Sequence, residues 1–160
     1  MEIIQNLIPL LKGRNYVVKT AFLTNKKLGL NEPVLVLYLF KGEKITVKYV
    51  VIPAGTKIMK KISINSKTGK PWNNIISRRD EASSFLVDAN SHYLILTNNL
   101  LFNNVSAASS FILGYPSDGY EVFKDSSGNG INFGYDSVEF KKPRIGAYGW
   151  RGLPFIGASE

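Results

Sequence analysis

Residues 102–125 read FNNVSAASSFILGYPSDGYEVFKD, and nearly every position in that stretch has a local physical job. Asn103 or Asn104 can accept a hydrogen bond from an unpaired N–H at a helix start, and residues 106–113 then form a short helix with Val105, Ala108, Phe111 and Ile112 near one side. Gly114 ends that helix, because glycine takes the positive φ of a helix C-terminus at little steric cost. Tyr115-Pro116-Ser117-Asp118-Gly119 has turn composition and residues 120–124 have strand composition, so the predicted unit is helix, turn, strand. Two alanines and three serines in one short helix imply that something approaches it closely, and a sheet and a ligand fit that equally.

The rest of the chain supplies what the unit packs against. Its 160 residues suffice for one ordinary domain with a sizeable core, and a hydrophobic content of 44% is that of a globular chain. The absence of cysteine excludes disulfides, thiolate metal sites and thiol catalysis, and fits a reducing cytosol, so a cytoplasmic location is expected. The opening MEIIQNLIPLLKGR has an acid at position 2 and no basic leader, and reads as an amphipathic helix rather than a signal peptide. The longest apolar run, residues 33–40, is far short of the ~20 residues of a membrane-spanning helix, so no membrane partner is expected. The net charge of +8 is unevenly spread: residues 1–70 carry 13 Lys or Arg against 3 acids, residues 71–140 carry 3 against 8, and residues 141–160 carry 4 against 1. An electrostatic footprint on nucleic acid therefore has to come from the N-terminal half and the tail.

In chain order, Ile3, Ile4, Leu7, Ile8 and Leu11 fall at helical spacing over residues 1–12, with Pro9 as a kink or stop and Gly13 as the end. Residues 16–23 alternate as a strand and residues 26–31 form a loop. Residues 34–40 are continuously apolar, as in a strand covered on both faces, and residues 45–52 return as the second arm of a hairpin over Lys41-Gly42-Glu43-Lys44. Residues 57–70 hold five lysines and no acid; they read as a strand and a loop, either a solvated surface or a phosphate-contacting one. Residues 72–87 read as a helix with Arg78 and Arg79 beside Asp80 and Glu81, residues 93–97 as a strand, 98–104 as a turn and 131–133 as a short last strand. The tail, 141–160, interleaves Lys141, Lys142, Arg144 and Arg151 with Tyr148, Trp150 and Phe155, which suits charge plus stacking on nucleic acid and equally an arm docking on protein.

Catalytic chemistry finds little to work with. His92 opens a strand without a partner in sequence, and a triad built on it lacks both a nucleophile and an orienting acid. One imidazole and no thiolate are too few for zinc, so neither a metal nor a cofactor is expected. Lys67-Thr68-Gly69-Lys70 lacks the Gly-x4-Gly-Lys-Ser/Thr spacing of a phosphate loop. Glu139-Phe140-Lys141, with Asp118 or Asp125 upstream, matches the acid-x-lysine set of metal-dependent nucleases, in which two carboxylates hold Mg²⁺ and the lysine helps position water, but a motif this short recurs by chance. Catalytic residues are therefore expected to be none. At the helix start, Asn104 and Ser106 serve either as plain caps or as a phosphate seat on free N–H groups. Tyr120 and Phe123, three apart on the predicted strand, point to opposite faces, one into the core and the other, beside Lys124, open for stacking.

Ser106-Ala107-Ala108 opening a helix, Gly114 at its end, then Asp118-Gly119-Tyr120, Phe123, Lys124 and Asp125 resemble a small domain of unknown function appended to GIY-YIG nucleases and bacterial DNA methyltransferases. That domain is similar to the restriction-enzyme and adenine-methylase associated domain. Upstream, residues 50–56 resemble its opening strand and residues 75–87 its arginine-bearing helix, so the resemblance spans residues 49–132. The family has Pro where this chain has Val105, Asn at Asp118 and Trp at Tyr120 and Phe123, and the GIY-YIG motif itself is missing. The resemblance implies the accessory part of a prokaryotic restriction-modification enzyme, with modified or mismatched bases among its targets.

The expected architecture is α+β: antiparallel strands with two or three short helices in one compact body plus a C-terminal arm. The segments are an N-terminal helix with strands (1–48), the family-like unit (49–132) and the arm (133–160). The expected function is a non-catalytic DNA-binding or DNA-modification-associated module, with Lys57, Lys60, Lys61, Lys67, Lys70, Lys124, Lys142 and Arg144 on phosphate and Tyr120, Phe123 or Trp150 stacking. The alternative is a protein-interaction subunit of a restriction or defence complex, and a metal nuclease on Glu139 and Lys141 ranks last. Oligomeric state is left open.

Overall fold

A computed structural model of the chain describes the backbone of residues 2–4, 16–41 and 44–131 and the side chains of residues 16–39 and 45–131. In chain order its elements are β1 (Glu2–Ile4), β2 (Tyr16–Asn25), β3 (Leu30–Lys41), β4 (Lys44–Ile52), β5 (Lys57–Met59), β6 (Ile64–Asn65), β7 (Lys70–Pro71) and α1 (Asn73–Glu81). A 3-10 turn (Ser83–Phe85) follows, then β8 (Leu86–Asp88), β9 (Tyr93–Leu96), β10 (Asn99–Phe102), α2 (Val105–Leu113), the single turn α3 (Gly119–Val122) and β11 (Phe123–Lys124). The fold is α+β. A six-stranded antiparallel sheet has the order β1-β10-β4-β3-β2-β11, a three-stranded one the order β5-β9-β8, and β6 pairs with β7.

Side-chain alternation divides the large sheet into two apolar faces. Val17, Ala21 and Leu23 of β2, Val34, Val36 and Tyr38 of β3, Val50 and Ile52 of β4, and Leu100 and Phe102 of β10 belong to one cluster. Tyr16 and Val18, Leu35 and Leu37, Val51 and Leu101 form the other. That double burial is why residues 34–40 read as an unbroken apolar run. Pro33 is tolerated in a central strand because the β3–β4 pairing stops at Leu35↔Val51, leaving no ladder on that side for its missing N–H.

Helix α2 lies on the first face. Val105, Ala108, Phe111, Ile112 and Leu113 join the cluster there, with Phe111 against Phe102 at 5.4 Å between ring centroids. Ile58 and Leu96 of the small sheet and Ala82 after α1 close the same core. Asn104 caps the helix by accepting the Ala107 N–H at 2.9 Å, and Gly114 ends it at φ +79°. From α1, the buried Arg79 donates Nε and Nη2 to the Phe111 carbonyl at 3.0 and 2.7 Å and lies over the Phe111 ring.

Four expectations about elements are corrected. Residues 2–4 are a strand paired to β10 rather than the start of a helix; β-branched Ile3 and Ile4 suit a sheet edge. Residues 99–102 are a fully buried strand, not a turn, and the flanking asparagines that suggested a turn are used otherwise: Asn99 is buried with Oδ1 accepting the Ala54 N–H. The predicted helix over 72–87 stops at Glu81, because Leu86, Val87 and Asp88 pair with β9. Residues 120–124 begin as a helical turn, since the Asp118 carboxylate accepts the Tyr120 N–H and starts a helix where composition favoured a strand. The rest of the predicted N-terminal helix, Gly42 and Glu43 of the hairpin turn, most of the strand over 131–133, and the C-terminal arm lie outside the described residues. The boundary expected between 48 and 49 falls inside β4, whose neighbours are β3 and β10, so both segments share one sheet.

Candidate functional site

The turn joining β2 to β3 and the β5–β9 pair meet at a cleft of about 320 Å³ lined by Lys26, Lys27, Leu28, Gly29, Met59, His92 and Tyr93. Its parts are set locally. Asn25 Oδ1 accepts the Leu28 N–H at 3.2 Å and the Lys26 carbonyl accepts the Gly29 N–H at 3.2 Å, so the turn closes on itself and leaves Lys26 and Lys27 exposed. Asn90 Oδ1 accepts the N–H groups of both His92 and Tyr93, at 2.8 and 3.0 Å, which fixes the approach to β9. Register then pairs Met59 with Tyr93 and Lys57 with Ile95, placing Lys57 and Met59 on one face of the small sheet.

Tyr93 joins the two halves. Its hydroxyl donates to the Leu28 carbonyl, the Lys57 ammonium lies 5.2 Å from its ring centroid, and the His92 ring meets it edge-on at 6.3 Å. Among the described residues no carboxylate lines the cleft. Two acids of the adjoining strands are engaged: buried Glu32 of β3 accepts the Lys57 N–H at 2.7 Å and the Asn31 N–H at 3.3 Å, and Asp88 of β8 pairs with Lys60 at 3.2 Å. Lys60 reaches the same region through its N–H, donated to the His92 carbonyl at 2.9 Å.

The other expected contact residues scatter. Lys61 is exposed, with its carbonyl oxygen packed against Gly114. Lys67 and Lys70 are exposed on the β6–β7 hairpin, whose turn is held by Asn65 and Thr68 side chains. Lys124 lines a different, open groove of about 470 Å³ beside Asp125. Phe123 is fully buried in the first cluster, which corrects its place among the stacking residues: no face of the ring is open. Tyr120 is 38% exposed, and burial, then the Asp118 carboxylate, hold its hydroxyl above the ordinary value. Lys142, Arg144 and Trp150, like Glu139 and Lys141, lie outside the described residues.

At the α2 start both polar side chains are taken up by the chain itself. Asn104 caps the helix, and Ser106 Oγ accepts the Gly119 N–H at 3.0 Å. Ser110 Oγ accepts the Ser117 N–H at 3.0 Å, and the Ser109 and Ser117 hydroxyls are 2.6 Å apart. What approaches the small-residue helix is thus the sheet on one side and the following loop on the other. The loop comes so near that a Cβ on Gly119 would overlap the Val105 carbonyl.

Sequence reasoning missed Lys26, Lys27, Met59 and Tyr93 and weighed His92 only for catalysis. The adjacent lysines in an Asn- and Gly-bearing loop were the available signal. Tyr93 and Leu28 are 65 residues apart, and no local pattern joins them. Among the described residues no group of three or more His, Asp or Glu is placed to hold a metal ion, and no helix is long and apolar enough to cross a membrane. No family model, curated protein or solved structure matches the chain.

Proposed function

We propose that the protein is a non-catalytic accessory module that binds nucleic acid through its phosphates. One observation carries the reading: Lys26 and Lys27 from one hairpin turn line a single cleft that no carboxylate among the described residues lines, and Lys57, from another sheet, lies over the ring of Tyr93 in its wall. Positive side chains gathered between low-dielectric walls concentrate the field there and attract a polyanion. Lys60, Lys61, Lys67 and Lys70 follow Lys57 in the chain and extend the basic segment, while Lys124 stands apart with Asp125. The resemblance of residues 49–132 to domains carried by nucleases and DNA methyltransferases points to DNA, and to a role beside a modification or restriction enzyme.

The test is fluorescence anisotropy with labelled single-stranded and duplex DNA, with and without methylated adenine, over a range of salt. Binding that persists near physiological salt and depends on strand form or methylation is expected. Replacing Lys26, Lys27 and Lys57 by alanine should then flatten the salt dependence by about one unit of slope for each phosphate no longer neutralised. Binding that disappears with salt and ignores the form of the nucleic acid sinks the reading. The alternative, a protein-interaction subunit, draws on Ile64 and Val87, apolar side chains left 55% and 48% exposed.

A further inference from the structure

We infer that the cleft between the β2–β3 turn and the β5–β9 pair is a phosphate site with room for one nucleotide unit, which deepens the nucleic-acid reading and rests on it for the polymer that supplies the phosphate. Lys26 and Lys27 are exposed, and among the described residues their side chains make no ion pair or hydrogen bond. His92 lines the same cleft and among the described residues has one ring contact, edge-on to Tyr93, while the Lys57 ammonium lies over the Tyr93 ring. These donors come from three separate parts of the chain. A phosphate group accepts several hydrogen bonds around a compact charge, and flexible ammonium groups supply them without demanding a fixed fork.

Glu32 of β3 and Asp88 of β8, on the adjoining strands, are held by backbone N–H groups and by Lys60 respectively. Size narrows the ligand. At about 320 Å³ the cleft is roomier than a bare phosphate requires and lies near the lower end of the roughly 300–1,000 Å³ of small-molecule pockets. Leu28 and Met59 offer an apolar wall to a sugar or base. Tyr93 is not the stacking surface: Lys57 lies over its ring and its hydroxyl is bound to Leu28, so it holds turn and sheet at a fixed separation.

The experiment is amide NMR with thymidine monophosphate alone, beside anisotropy with a labelled single-stranded oligothymidine. It uses the wild type, Lys26→Ala/Lys27→Ala, and Lys67→Ala/Lys70→Ala on the β6–β7 hairpin. The mononucleotide is expected to shift the amides of Lys26, Lys27, Leu28, His92 and Tyr93 saturably. The first variant should weaken both probes about tenfold, the loss that accompanies a charge-assisted hydrogen bond, with unchanged circular dichroism. The second should leave the mononucleotide titration unchanged. If the oligomer binds but the mononucleotide moves none of those amides, or the oligomer ignores Lys26→Ala/Lys27→Ala, the cleft is not the phosphate site, and nucleic-acid binding then has to come from the basic segment of residues 57–70 instead. If the mononucleotide binds in the cleft and the oligomer does not bind at all, the site stands as one for free nucleotides and the nucleic-acid reading falls. Silence from both probes overturns both.

Discussion

Tyr38 sits in the middle of the large sheet and carries a polar group into the core, where its hydroxyl donates to the Ile131 carbonyl at 2.6 Å. Both residues are buried, so Tyr38→Phe leaves that carbonyl without its partner, and a loss of about 1–3 kcal/mol is expected in urea unfolding. Burial first, then the nearby Asp125 and Tyr120, hold the phenol above its ordinary value of 10.0. Below about pH 10 the folded and unfolded chains both keep this proton, and the stabilisation is whole. Above it the unfolded chain ionises first, the folded state binds more protons, and stability falls as pH rises. The gap between wild type and Tyr38→Phe should therefore hold steady up to about pH 10 and narrow as pH rises above it; a constant gap would show that this phenol does not titrate differently in the two states. Gly114 is constrained twice. Its φ of +79° costs other residues about 1–2 kcal/mol, and an added Cβ would overlap the Lys61 carbonyl oxygen. Gly114→Ala should lower stability by at least about 2 kcal/mol in thermal unfolding, and a much smaller loss would mean that the chain at Lys61 yields.

At the scale of elements, α1 and α2 are joined by one side chain. Helix α2 ends with carbonyls that lack intrahelical partners, and Arg79 satisfies that of Phe111 with two donors while its plane covers the Phe111 ring. Desolvation lowers the guanidinium to about 10, so it remains charged at neutral pH, where the negative end of the helix favours it. A lysine offers one ammonium in place of the fork. Arg79→Lys is expected to lose about 1–2 kcal/mol by urea titration, and an unchanged midpoint would show that the second donor contributes nothing. The same end of α2 is held by the Ser63 N–H, donated to the Gly114 carbonyl at 2.8 Å. The lysine-rich chain entering β6 is thereby anchored to the core by its backbone, which leaves its side chains outside.

For the whole molecule the decisive feature is that distant parts of the chain share one sheet. Strands β10 and β11 flank β4, β3 and β2, and α2 packs on one face of that sheet, in the cluster to which all five strands contribute. A fragment of residues 49–132 loses Val17, Ala21, Leu23, Leu30, Val34, Val36 and Tyr38 from the first cluster. It is expected to show the circular dichroism of an unfolded chain and no cooperative melting. A folded fragment would mean that the family-like unit has a core of its own. The cleft depends on the same assembly, since one wall comes from before residue 48 and the other from after it.

Legibility followed the range of the forces involved. The α2 helix with its Asn104 cap and Gly114 stop, the β3 run buried on both faces, and the β3–β4 hairpin were readable because capping, left-handed glycine and burial periodicity act within a few residues. Those signals, with the α+β class they imply, are what the sequence determined by itself. Tertiary structure alone decided that residues 99–102 are a central strand, because partners on both sides outweigh flanking asparagines. It also decided that Phe123 is core while Tyr120 is half open, since one helical turn replaced the expected strand. The cleft was beyond local reading for the same reason: Lys26, Lys27 and His92 come to line one cleft only when Tyr93 bonds to Leu28 across 65 residues, and contacts of that span are set by packing of the whole chain.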